Sequence, residues 1–158
     1  MKILFCTDFS PNADFAFGYA LRAARTAGEE TTLFLLHVIP EPEAQFWKTY
    51  VYEVENADEK AQHDIDARIE AYRVKVPAGV AFKPVYRVGR DEAEILAFAE
   101  EETVDLIVMG RQGKGEFQKV FFGNVTEKVA RKAPCPVLIV PLSYKQRVNG
   151  DNRGAEKN

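Results

Sequence analysis

VDLIVMGRQGKGEF, residues 104–117, sets an apolar run directly against a loop that carries Gly110, Gly113 and Gly115. The run 104–110 is short and rich in Val, Ile and Leu, which reads as a strand buried on both faces. Gly110 and Gly115 have the spacing of a Walker A loop, G-x-x-x-x-G-K-[S/T]. Glu116 and Phe117 stand where its Lys and Ser or Thr would follow, so that template fails. Whether the loop holds an anion in another way depends on what surrounds it.

Downstream, GNVTEKVARKA (123–133) has helical spacing and CPVLIVP (135–141) is a fifth apolar strand. Upstream, KILFCT (2–7) is a first strand. Ser10-Pro11 supplies a helix cap and a proline at the first helical position, and Gly28 ends that helix. TLFLLHVI (32–39) is a second strand. A charged helix over about 55–76 carries Ile65, Ile69, Tyr72 and Val76 on one stripe. VAFKPVYRV (80–88) is a third strand whose Pro84 suits a sheet edge. Asp91 with Glu94 predicts an acidic capping box opening a helix through Glu102. Phe46, Trp47, Tyr50, Val51 and Val54 form an aromatic cluster expected in the core or an interface, with a lid over a ligand as the lesser alternative.

Apolar strands alternating with helices predict an α/β fold: one doubly wound open sheet of five parallel strands, order 3-2-1-4-5, with helices on both faces. Such sheets bind ligands beyond the carboxyl ends of their strands, at the switch point. Here those ends are Asp8–Ser10, Val38–Pro40, Val88-Gly89 and Met109–Gly115.

At 158 residues the chain can bury a core without metal or disulfide support. A net charge of −3 argues against a dedicated nucleic-acid binder. No run approaches the roughly 18 apolar residues of a membrane span. The N-terminal apolar run is too short for a signal peptide, and two cysteines point to reduced thiols in a cytoplasm. Arg111, Lys114, Lys119, Lys128, Arg131 and Lys132 outweigh Glu116 and Glu127 across 110–132, so a locally basic loop sits on an acidic chain. Glycines there would let backbone N–H groups converge on a phosphate, and the following helix N-terminus would add its dipole. On the glycines alone, a solvated connection accounts for the loop equally well.

LIVMGRQGKGEFQKVFFGNVTEKVARKAPCPVLIVP resembles the universal stress protein family, in particular its ATP-binding branch. That branch shows G-x-x-G, nine residues, then G-[S/T]; Gly110, Gly113 and Gly123 match. The resemblance continues through KILFCTDFSPNADFAFGYAL, LLHVIP and RVGRDEAEILAFAEEETVDLIVMG, up to about residue 141. It implies a nucleotide-binding domain over 1–142, followed by a polar tail over 143–158. It also implies bound ATP, with Mg²⁺ as a companion ion. Asp8 would hold the ribose hydroxyls, with Phe9 and Ser10 at the nucleoside edge and the Val38 backbone reading adenine. Met109 and Gly110 would lie under the sugar. Gly113 and Gly115 would wrap the phosphates, with Arg111 and Lys114 nearby. Gly123, Asn124, Val125 and Thr126 would meet the terminal phosphates. Asn124 departs from the family's Ser or Thr: an amide can donate to phosphate but cannot replace a hydroxyl at magnesium. Asn124 with Glu127 also reads as a helix cap with its box partner. The family further implies a homodimer through the fifth strand, Pro136–Pro141.

Other chemistries fit less well. Asp8 is also a good helix-capping residue, but a receiver domain is excluded by a third strand ending in Val88-Gly89, without an aspartate to phosphorylate. TDFSPN after strand one lacks the dehydrogenase G-x-G-x-x-G. His37 reads as a satisfied structural histidine, and Cys6 and Cys135 sit at opposite strand ends, too far apart for a disulfide. No general base, arginine finger or acidic metal pair is legible, so a binding protein without efficient catalysis is expected. A slow ATPase and a nucleotide-free interaction module of the same fold are the alternatives.

Overall fold

The computed structural model describes residues 1–28, 30–40, 57–111 and 124–141. The elements are β1 (Lys2–Cys6), α1 (Pro11–Ala27), β2 (Thr32–Ile39), α2 (Ala57–Arg73), β3 (Ala81–Val88), α3 (Asp91–Glu101), β4 (Leu106–Gly110), α4 (Asn124–Lys132) and β5 (Val137–Val140). The strands form one sheet in the order β3-β2-β1-β4-β5, parallel throughout, as the apolar runs predict. Pro84 lies on the edge strand β3, opposite Leu35, where its missing N–H can be spared.

Alternate residues of each central strand feed two cores. Ile3, Phe5, Leu33, Leu35 and Val108 face α1 and Tyr72 of α2, against Ala16, Phe17, Ala20 and Leu21. Leu4, Cys6, Phe34, Leu36, Ile107 and Met109 face α3 and α4, against Ile95, Phe98, Ala99 and Val129. With both faces covered, the strands have no polar side, which is why their sequences do not alternate. Small residues Ala13, Ala16, Ala20 and Ala24 make the buried stripe of α1, so that helix seats close to the sheet.

The punctuation of α1 follows its sequence. Ser10 is the N-cap, its Oγ accepting from the Ala13 amide at 3.3 Å, and Pro11 follows. Gly28 closes the helix at φ 79°, a backbone angle that favours glycine. Two other caps differ from expectation. Arg90, not Asp91, precedes α3, and its side chain makes no cap bond. The expected partner Glu94 instead faces the Arg87 guanidinium of β3 at 3.6 Å. Arg87, on the strand that leads into α3, bonds chiefly to Glu101, and Glu94 is a second carboxylate beside it. Asn124 is the first residue of α4 rather than its cap, and Glu127 pairs with Arg131 at 3.1 Å. The aromatic cluster at 46–54, most of the glycine loop and the tail from 143 lie outside the described residues.

Candidate functional site

β1 connects toward β2 on one side, while β4 lies on its other side. The chain therefore diverges at the carboxyl ends of β1 and β4, and a cleft opens there. Cys6, Thr7, Asp8 and Ser10 come from β1 and its turn, and Asn12 and Ala13 from the start of α1. Leu36 and Val38 come from β2, Asp91 and Ile95 from α3, Met109 and Gly110 from β4, and Val125 and Thr126 from α4. The space between these walls is about 590 Å³, part of it open to solvent.

Of the residues expected at a ligand, Asp8, Ser10, Val38, Met109, Gly110, Val125 and Thr126 are brought together on this surface. Asp8 is exposed, and its Oδ1 accepts from the Ser10 amide at 3.0 Å, so it braces the turn ahead of the cap instead of capping α1 itself. Phe9 stands behind the turn rather than in the lining, its ring 4.5 Å from His37. Arg111 continues β4, its amide donating to the Val140 carbonyl at 2.9 Å. Asn124 is exposed at the start of α4. Gly113, Lys114, Gly115 and Gly123 lie outside the described residues.

Gly110 has a packing role as well as a place in the cleft. A Cβ there would lie 2.8 Å from the Asn12 carbonyl oxygen and 3.0 Å from its carbon. The backbone of α1 thus crosses β4 at a distance only glycine permits. The basic character of 110–132 is also partly spent within the fold. Lys128 Nζ donates to Glu92 Oε1 at 2.8 Å, tying α4 to α3 and holding the Glu92 carboxyl below its usual range. Arg131 pairs with Glu127 on the surface of α4.

Thr7, Asn12, Asp91 and Ile95 also line the cleft and were not read as ligand residues from the sequence, which gave Asp91 only a capping role. Asp91 and Ile95 are four apart at the start of α3, directly beyond the β3 strand end, and that spacing was the available signal. Cys6 forms apolar wall: burial first, then the nearby Asp91 charge, push its thiol well above the usual range, so it stays protonated and unreactive. His37 Nδ1 donates to the Thr7 carbonyl at 2.9 Å, the structural role expected of it. Chemically, the cleft offers an apolar slot (Leu36, Val38, Ile95, Met109), a solvent-facing carboxylate, hydroxyls and a helix N-terminus. These suit a flat heterocycle carrying a polyol and an anion.

Residues 1–141 match the model of the universal stress protein family. Universal stress protein MJ0577 of Methanocaldococcus jannaschii is 33% identical, covering 88% of this chain and 93% of its own length. The solved structure of MJ0577 superposes with a TM-score of 0.68 at 34% identity, over 89% of this chain and 94% of that one. A universal stress protein in complex with cAMP shares the fold at TM-score 0.56 and 22% identity, over 89% and 95% of the two chains. A universal stress protein family protein from Arabidopsis thaliana with AMP bound does so at 0.56 and 17%, over 89% and 91%.

Proposed function

The chain belongs to the universal stress protein family, and from that membership we propose that it is a cytoplasmic regulator that binds ATP in this cleft without turning it over efficiently. The observation that carries the reading is the convergence of Asp8, Val38, Met109, Gly110 and the start of α4 on one surface. Leu36, Val38 and Ile95 would line the base end, with Met109 and Gly110 under the sugar. Asp8 would accept from the ribose hydroxyls. The N-terminal turn of α4, with Val125 and Thr126 on the cleft, would face the phosphates, and a helix N-terminus favours an anion by about 0.3–1 kcal/mol. Gly113, Lys114, Gly115, Gly123, Asn124 and Arg111 would complete that end. Thr126 supplies the hydroxyl nearest to Asn124 in sequence that could meet a phosphate-bound Mg²⁺. Proteins of this fold that hold cAMP and AMP support an adenine nucleotide as the ligand class. The free thiols of Cys6 and Cys135 agree with a reducing compartment, and no helix among the described residues is long and apolar enough to cross a membrane.

Mass spectrometry of small molecules released from the purified, denatured protein tests this, with calorimetry using added ATP. An adenine nucleotide is expected, with phosphate release well below the ~1 s⁻¹ of slow ordinary enzymes. Finding no nucleotide, together with no calorimetric binding of ATP at millimolar concentration, would refute the reading.

The fifth strand carries a second part of the proposal. Among the described residues β5 pairs only with β4, and Leu138 on it is 37% exposed. An apolar edge of this kind is satisfied by pairing with a second copy. Light scattering is expected to give about twice 17.8 kDa, and Leu138→Asp to reduce it to the monomer value. A monomeric parent at micromolar concentration would exclude dimerisation through Pro136–Pro141.

A further inference from the structure

The turn after β1 is held in a conformation its residues would not choose. Phe9 has φ 57°, the left-handed region that a bulky side chain rarely enters. Its amide donates to Thr7 Oγ1 at 2.9 Å. Thr7 Oγ1 lies 3.2 Å from the Tyr72 hydroxyl, which lies 2.5 Å from Asp14 Oδ1. The direction of this chain follows from its last member. A carboxylate accepts, so the single Tyr72 hydroxyl proton goes to Asp14, and Thr7 must donate its own proton to Tyr72. Every link from the Phe9 amide to the Asp14 carboxylate therefore points the same way, an arrangement in which each bond polarises the next. Thr7 and Tyr72 are buried, at 6% and 3% exposure, so the link between them is shielded from bulk water, while Asp14 at the end of the chain is exposed.

Packing does not require the hydroxyl. The Tyr72 ring sits 5.7 Å from Phe5, 4.7 Å from Phe17 and 6.2 Å from Phe9, contacts a phenylalanine would keep. What the hydroxyl adds is a tie from α2 to the turn carrying Asp8 and Ser10. A second tie, His37 to the Thr7 carbonyl, holds the other side of the same residue. We propose that Tyr72, through Thr7, is a positioning residue that presets the 7–10 turn so that Asp8 meets the nucleoside end of a ligand in the cleft. This rests on the nucleotide reading above for the ligand, but not for the state of the turn.

The test compares Tyr72→Phe, Thr7→Val, Thr7→Ser and Asp14→Ala by amide hydrogen exchange and by calorimetry with adenosine and ATP. In the ligand-free protein, Tyr72→Phe is expected to speed exchange at the Phe9 and Ser10 amides roughly ten-fold while the β1 and β2 amides keep their rates. Thr7→Val and Asp14→Ala, the latter at an exposed position, are expected to do the same, and Thr7→Ser to restore protection. Affinity for adenosine and for ATP is expected to fall by the same factor, about 5–10-fold, the size of one lost hydrogen bond. A structural defect would instead raise exchange across the strands. If Phe9 and Ser10 exchange at parental rates in Tyr72→Phe, the positioning role is wrong whatever the ligand. If exchange rises as expected but the parent protein binds neither adenosine nor ATP, the nucleotide reading fails and the preset turn stands. If exchange rises and both ligands bind as tightly as to the parent, the turn does not govern the site and the proposal falls.

Discussion

Gly110→Ala is expected to destabilise the protein by on the order of 1–3 kcal/mol, as overpacking of a filled interior does. The new Cβ would meet the Asn12 carbonyl oxygen at 2.8 Å, its carbon at 3.0 Å and the Ala13 nitrogen at 3.2 Å. These are backbone atoms of the first turn of α1, which cannot rotate away as a side chain end could. Moving them displaces a helix anchored by buried Phe17, Leu21 and four alanines. For a domain of this size each kcal/mol lowers the melting temperature by about 2–4 °C, so thermal unfolding reads the effect directly. Gly110→Val would cost more. Gly18→Ala is the control, with nothing within 4 Å of its added Cβ. There an alanine is expected to stabilise α1 by roughly 0.5–1 kcal/mol. A Gly110→Ala protein that melts with the parent would show that α1 can retreat freely from β4.

Asp8→Ala and Gly113→Val are expected to separate by ligand. Asp8 faces the cleft from an exposed turn, so its loss should leave the fold intact. It should weaken adenosine and ATP alike, by about 1–3 kcal/mol, as loss of hydrogen bonds to a charged group does. Gly113→Val would place a branched side chain where the phosphates are proposed to lie, abolishing ATP binding while adenosine binding stays near the parent's. Calorimetry with both ligands on both variants decides. Gly113→Val binding ATP like the parent would reduce the glycine loop to a turn. Asp8→Ala losing ATP but not adenosine would move that carboxylate away from the sugar.

Local grammar and apolar patterning determine the order of elements in this chain. Ser10-Pro11 and Gly28 bracket α1 because capping and backbone angle act within a few residues, where no distant group competes. The central strands read as parallel and doubly covered because they are apolar almost throughout, and Pro84 marks β3, which has no buried residue, as an edge. The spacing of Gly110, Gly113 and Gly123 pointed to the family, and a carboxyl-end cleft followed from the topology. Tertiary structure decided which polar groups spend their bonding capacity where. Glu94 looked like a capping partner and lies instead beside Arg87, a distance set by how α3 packs against β3 and not by the spacing of 91 and 94. Lys128 and Arg131 looked available to an anion and were taken by Glu92 and Glu127. Gly110 looked like a ligand residue and is required first by the passage of α1, a contact between segments almost a hundred residues apart. Tyr72 was legible as one apolar position in a helical stripe. That its hydroxyl would reach Thr7, 65 residues away, could be set only by folding, because hydrogen bonds are decided by distances that a linear spacing does not contain.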